Sequence, residues 1–282
     1  MTATAAIVVN DLSKAYGPHQ AVRGLTFSVR RGEVYGLLGP NGAGKTTTVE
    51  ILEGYRSPTS GTVEVLGVDP LRAGSSWRER IGVMLQSSSL YPALTVLESL
   101  QTFAGYYKAP RDPAEVVEII GLGDKRDTRV RKLSGGQQRR LDLGIALIGD
   151  PDLIFLDEPT TGFDPGARRA AWDTVRGLRA LGKTILLTTH YLDEAEQLAD
   201  RVAVLREGVI VREGTPAELT GGAVETEIHY RLDGKEVVER TTDATTRLHE
   251  LTSEALARGE RLDALEVRRP SLEEVYLELT SD

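Results

Sequence analysis

The nine residues Gly39-Pro40-Asn41-Gly42-Ala43-Gly44-Lys45-Thr46-Thr47 constrain this chain more than any other segment. They follow residues 34–38, an apolar run with strand character, and lead into residues 46–52, where apolar positions recur at helical spacing. Strand, glycine loop and helix in that order make a phosphate cradle. The glycines let backbone N–H groups wrap an anion with no side chain in the way. The helix behind them points the positive end of its dipole at the same spot. In such a cradle Lys45 reaches the β- and γ-phosphates and the Thr46 hydroxyl ligates Mg2+, while Gly39, Asn41, Gly42, Gly44 and Thr47 complete the wrap.

Two further segments extend the chemistry. Residues 153–158, Leu-Ile-Phe-Leu-Asp-Glu, read as an apolar strand ending in two acids. Many parallel strands end in a carboxylate, so the pair gains meaning only beside a phosphate loop. There Asp157 can hold the metal's water shell, and Glu158 can orient or deprotonate the attacking water. The other segment is Leu133-Ser134-Gly135-Gly136-Gln137, placed to open a helix over residues 134–148. Ser134 suits an N-cap. Two glycines in a first turn cost about 1 kcal/mol each relative to alanine, and capping does not explain them; a phosphate facing the bare amides does. Both glycine segments cannot readily grip one phosphate from the same side. The expectation is an ATPase whose site is completed by a second copy of the chain.

Composition sets the outer limits. The chain has 282 residues, 40% hydrophobic and 27% charged, enough for one large domain and a small one. With 34 Lys+Arg against 42 Asp+Glu the formal charge is -8, which disfavours nucleic acid as a partner. The absence of cysteine excludes disulfides, zinc–thiolate sites and a thiol nucleophile. No window approaches the ~18 apolar residues of a membrane span, and residues 1–9 carry no basic residue for a signal peptide. Any membrane-spanning part is expected from another polypeptide.

Strand-like runs fall at residues 7–10, 26–29, 34–38, 61–66 and 81–85. Helical texture occupies 95–121, with Pro113 opening a second helix at 114–120. Strands at 153–156, 184–189 and 201–205 then alternate with helices at 165–181 and 192–198, the pattern of a largely parallel, helix-covered sheet. Beyond a Thr-Gly-Gly-Ala linker at 220–223 lie two strand-like runs (224–231, 235–240), a helix (245–257), a strand (262–267) and a last helix from Ser271. The expected organisation is a domain at 1–220 with a helical insertion near 90–150, and a small α+β domain at 224–282.

Phosphate loop, Gln86 after a strand, Leu-Ser-Gly-Gly-Gln, Leu-Asp-Glu-Pro and His190 after a strand, in that order, resemble the nucleotide-binding subunit of ABC transporters over about residues 5–220. The resemblance implies a P-loop NTPase of α/β class. Its RecA-like mixed sheet core carries an antiparallel β subdomain and a helical insertion bearing the signature motif, and here a small C-terminal α+β domain is added. It implies ATP and Mg2+ as cofactors and a homodimer joined to separate integral-membrane permease subunits at the cytoplasmic face of the membrane. Residue by residue, it implies that Tyr16 stacks on adenine, that Gln86 senses Mg2+ and the membrane partner, and that Ser134, Gly135, Gly136 and Gln137 meet the ATP of the opposite chain. Asp164 would cross the dimer interface and His190 would contact the γ-phosphate. Phe163 stands where the family usually has leucine, which touches interface packing. The tail from Arg269 to Thr280, and Val-Glu-Ile-Leu-Glu-Gly at 49–54, resemble daunorubicin-type drug-resistance exporters. Importers remain the nearest alternative, ahead of DNA-maintenance and translation-associated ATPases. A membrane dock is expected between Gln86 and Tyr107, where Leu90, Tyr91, Phe103 and Tyr106 add apolar and aromatic surface. His19, His229 and His249 have no such context and read as structural.

Overall fold

The computed structural model describes residues 5–84, 90–220, 226–232 and 234–268. The first half comprises β1 (Ala5–Tyr16), β2 (His19–Arg30), β3 (Val34–Leu38), α1 (Lys45–Leu52), β4 (Ser60–Val65), α2 (Ser75–Arg78), β5 (Ile81–Met84), α3 (Val96–Ala104), α4 (Pro113–Ile119) and α5 (Gly135–Leu147). There follow β6 (Leu153–Asp157), α6 (Pro165–Ala180), β7 (Thr184–Thr189), α7 (Leu192–Leu198), β8 (Arg201–Arg206) and β9 (Val209–Gly214). The chain divides into two compact units at residue 212. The second contains α8 (Pro216–Leu219), β10 (Thr226–Leu232), β11 (Lys235–Thr241), α9 (Ala244–Arg258) and β12 (Asp263–Arg268).

In the first unit, apolar residues that continue without a polar break dictate a sheet buried on both faces. The observed order is β5-β6-β7-β3-β8-β9, with β5, β6, β7, β3 and β8 mutually parallel. Side chains alternate between two cores, as a period of two requires. Tyr35, Leu37, Leu153, Phe155 and Leu186 point to one; Val34, Ile154, Leu156, Ile185 and Leu187 point to the other. The first core is roofed by an antiparallel sheet of order β2-β1-β4, and Phe27 of that roof stacks on Tyr35 with ring centroids 5.4 Å apart. The second is covered by α3, α4 and α5 through Val96, Leu100, Val116, Ile120 and Leu141. Each such side chain, taken fully out of water, contributes about 1.5–3 kcal/mol.

Local signals set the helix starts. Thr95 and Glu98 form a reciprocal capping box on α3, and Ser134 and Gln137 form another on α5. Asp112 caps α4, and Pro113 takes the first helical position, where its missing N–H leaves no bond unmade. Parallel strand order brings the C-terminal ends of β6, β7 and β3 together: Asp157 pairs with Thr188, and Leu38 with Thr189. The crevice above those ends is where such sheets place ligands.

The second unit is an antiparallel sheet, β11-β10-β12, with α9 packed on it. Its core joins Ile228, Tyr230 and Leu251, with Leu232, Val237, Leu248 and Leu262 against them.

Several strands differ from their sequence-based bounds. β1 and β2 run 12 residues each rather than four, because they pair as one long hairpin with register shifts that absorb Asn10, Asp11 and Ser13. α2, β9 and α8 were not expected from periodicity; α2 and α8 span four residues each and β9 is largely exposed. Gln86, most of the 220–223 linker, Val224 and the tail from Arg269, including the helix expected from Ser271, lie outside the described residues.

Candidate functional site

The loop after β3 turns sharply because its glycines permit it. At Gly44 φ is 102°, and an added Cβ would lie 2.5 Å from the Ala21 carbonyl oxygen. At Gly39 a Cβ would lie 2.5 Å from the Leu205 carbonyl oxygen, so no side chain fits where β3 leaves the sheet. Gly39 N–H donates to Thr189 O at 3.3 Å, tying the loop to the end of β7. Gly44 then serves as the N-cap of α1 without a side-chain cap, leaving first-turn amides for an anion. The loop borders a cavity of about 380 Å³ whose lining includes Tyr16, Asn41, Gly42, Gly44, Lys45, Thr46, Thr47 and Glu158. His19, which reads as structural in the sequence, also lines it.

Lys45 is 5% exposed. Its ammonium donates to the Gly39 carbonyl at 2.7 Å and the Pro40 carbonyl at 3.2 Å, and lies 3.6 Å from Glu158 Oε1. Burial lowers its pKa against the opposing pull of Glu158 and Asp157.

The two acids end β6 side by side, both 7% exposed. Thr188 of β7 serves both: its hydroxyl donates to Asp157 Oδ1 and accepts from Glu158 N–H at 3.1 Å. Glu158 has φ 47°, a left-handed conformation just before Pro159, which costs on the order of 1–3 kcal/mol and is typical of functional positions. Its N–H also donates to Thr188 O at 3.2 Å, which helps hold the strained turn. The carboxylate meets His190 Nδ1 at 3.2 Å and accepts from the Thr161 hydroxyl at 3.1 Å. Burial pushes its pKa up, but the His190 hydrogen bond, Lys45 and Thr161 outweigh this and hold it below the usual carboxylate value.

The Leu-Ser-Gly-Gly-Gln segment stands apart. Ser134 Oγ accepts from Gln137 N–H at 3.3 Å while Gln137 Oε1 accepts from Ser134 N–H at 2.9 Å. Ser134 and Gly135 are exposed, and nothing lies within 4 Å of where a Gly135 side chain would start. None of residues 134–137 lines the cavity around Lys45. Asp164 caps α6, accepting from Gly166 N–H at 2.9 Å and Ala167 N–H at 3.0 Å. Gly136 approaches that same turn, 3.3 Å from the Ala167 Cβ when given a Cβ of its own.

Three groups went unread in the sequence. Thr188 carries a signal that could have found it, since it lies two residues before His190 at a strand end. Arg139 reaches from the second turn of α5 to the Asp157 carbonyl at 2.8 Å and the Glu158 carbonyl at 3.3 Å; a polar Gln-Gln-Arg-Arg run does not reveal which member turns inward. Glu53, 9% exposed at the end of α1, is pushed up to about 8 by burial, then by Asp157 and Glu50. It lines a second cavity of about 590 Å³ together with Phe103 and Tyr107. Of the aromatic surface expected near there, Tyr91 and Tyr106 are exposed, while Leu90, Phe103 and Tyr107 are half-buried against the helical core.

Thr46 hydroxyl and Asp157 carboxylate are hard oxygen donors suited to Mg2+. No cluster of three or more His, Cys, Asp or Glu among the described residues could hold a metal alone. No helix among the described residues is long and apolar enough to cross a membrane.

The ABC transporter family model matches residues 22–161. Nod factor export ATP-binding protein I of Burkholderia orbicola is 47% identical over 76% of this chain and 72% of its own length. Daunorubicin resistance ATP-binding protein DrrA3 of Streptomyces coeruleorubidus is 39% identical over 99% of this chain and 97% of its own. Among solved structures, an ATP-binding subunit of an ABC transporter superposes with a TM-score of 0.72 at 26% identity, covering 98% of this chain and 100% of that one. A dimeric ATP-binding cassette in a post-hydrolysis state with ADP and Pi gives 0.66 at 25% identity, over 74% of this chain and 98% of that one. A phosphate loop, a strained Glu158 beside His190 and full-length likeness to such subunits converge: the chain belongs to the ABC transporter family, as an ATP-binding subunit with ATPase activity.

Proposed function

We propose that the protein drives export of drug-like or lipophilic compounds, and that two copies sandwich ATP between the phosphate loop of one and Ser134-Gly135-Gly136-Gln137 of the other. The observation that carries this reading is the split of the phosphate-binding groups. Lys45 and Glu158 share one cavity, whereas the exposed N-terminus of α5 stands outside its lining. A C2 pair makes both sites whole by the same contact.

In each site the α1 amides and Lys45 grip the β- and γ-phosphates, and Tyr16 at the cavity edge stacks on adenine. Thr46 and Asp157, with Gln86, would hold Mg2+, which neutralises phosphate charge when bound. Glu158 orients a water in line with the γ-phosphorus and takes its proton as the new P–O bond forms and the bond to the β-phosphate oxygen breaks. The depressed pKa of Glu158 keeps it ionised and able to accept. His190, 3.2 Å away, fixes that carboxylate and contacts the γ-phosphate. Asp164 sets α6 against the partner chain. ATP binds the closed pair better than the open one, so hydrolysis releases it.

Separate permease subunits dock at the 590 Å³ groove near Phe103 and Tyr107, placing the protein on the cytoplasmic face of the membrane. Relatives named for Nod factor export and daunorubicin resistance support export over import. Steady-state hydrolysis and nucleotide binding by Glu158→Gln test the reading. Turnover should fall at least about 100-fold, roughly 2.7 kcal/mol, with ATP binding retained. Near-normal turnover would remove Glu158 from the reaction.

A further inference from the structure

We propose that Glu53 is a specificity residue of the docking groove, and that the permease segment seated there carries a Lys or Arg among apolar side chains. The proposal rests on the reading of this groove as the permease dock and adds what the occupant must carry.

Four observations converge on Glu53. It is 9% exposed, yet among the described residues its carboxylate makes no hydrogen bond and no ion pair. It occupies the C-cap of α1, where the helix dipole presents its negative end. The charges that push its pKa up further, Asp157 and Glu50, are both acidic. And it faces a groove of about 590 Å³ whose walls include Ile81, Val83, Phe103 and Ile145. Arg78, also on the lining, is exposed and does not pair with it.

A largely buried carboxyl with Asp157, Glu50 and the C-terminus of α1 against it is destabilising in the free subunit when ionised. A purely apolar occupant would worsen this, by removing the remaining water while adding no donor. An occupant with one cation reverses it: the ammonium or guanidinium meets the carboxylate where solvent is thin and attraction is strong. The site then accepts segments with a cation, which holds Glu53 ionised, and rejects neutral or acidic ones, which leave its carboxyl without a partner. The phosphate loop opens α1 and Glu53 closes it, so the same eight-residue helix joins nucleotide to partner.

The test uses the full chain with methyl-labelled Ile81, Val83 and Ile145 as reporters, titrated by NMR at pH 9 with hexylguanidinium, hexanol and hexanoate. Hexylguanidinium should bind at least about tenfold tighter than hexanol. That preference should vanish in Glu53→Gln and persist in Glu53→Asp. Equal binding of guanidinium and alcohol, or preference for hexanoate, overturns the role of Glu53 while leaving an apolar dock in place. If no probe moves the groove methyls, the dock itself falls, and this proposal with it. Methyl shifts that depend on protein concentration without any probe make a second copy of the chain the occupant, and also overturn it.

Discussion

Replacing Thr188 with valine removes one hydroxyl that serves both Asp157 and Glu158. Thr188 is wholly buried, so no water can substitute for it. Its hydrogen bond to Asp157 has a charged acceptor, worth about 1.5–3 kcal/mol. The bond from Glu158 N–H is less costly to lose, because that N–H keeps the Thr188 carbonyl at 3.2 Å. Thr188→Val should therefore lower stability by about 2–3 kcal/mol, read as an earlier urea midpoint at unchanged slope. The functional effect is separate. Asp157 loses the bond that fixes its carboxylate, so kcat should drop about tenfold, near 1.4 kcal/mol, and half-saturation by Mg2+ should rise. Thr188→Ser keeps the hydroxyl and should hold kcat within about threefold of the parent. The assay is steady-state phosphate release across a Mg2+ series, with urea unfolding in parallel. Valine and serine variants with equal stability and equal Mg2+ dependence would refute the bridging role.

Lys45→Ala removes the ammonium that faces Glu158 and the loop carbonyls, and should weaken ATP binding about 10- to 100-fold by calorimetric titration; an unchanged isotherm would dismiss the cradle. Glu53, raised to about 8 by burial and by Asp157 and Glu50, holds its proton in the folded state longer than in the unfolded chain. Its contribution is therefore fully present below about pH 4.5 and is lost as pH rises toward 8. Glu53→Gln should flatten that decline and be the more stable protein at pH 9, by denaturant titration; a parallel pH curve for both would contradict the assignment.

Legibility in the sequence followed how local each constraint is. β3, β7 and α7 lie where their residues alone place them, because strands buried on both faces centre on short apolar runs and the helix between polar turns is amphipathic. The capping box at Ser134 was equally local. The length of β1 and β2 was not, since Asn10, Asp11 and Ser13 join strands only through register shifts against partners far along the chain. The site divides the same way. Lys45, Thr46 and the acid pair announce themselves by spacing, whereas Thr188 and Arg139 act by reaching residues 31 and 18 positions away. Glu53 reads as one more helix-end acid until α1 and the groove put it out of water.

Light scattering of Glu158→Gln with and without ATP tests the shared site most directly. With saturating ATP and Mg2+ and the permease supplied where needed, the account predicts twice the mass of the 30.7 kDa chain in ATPase subunit, falling to the single chain with ADP. A variant that binds ATP yet stays a single copy under those conditions would contradict it.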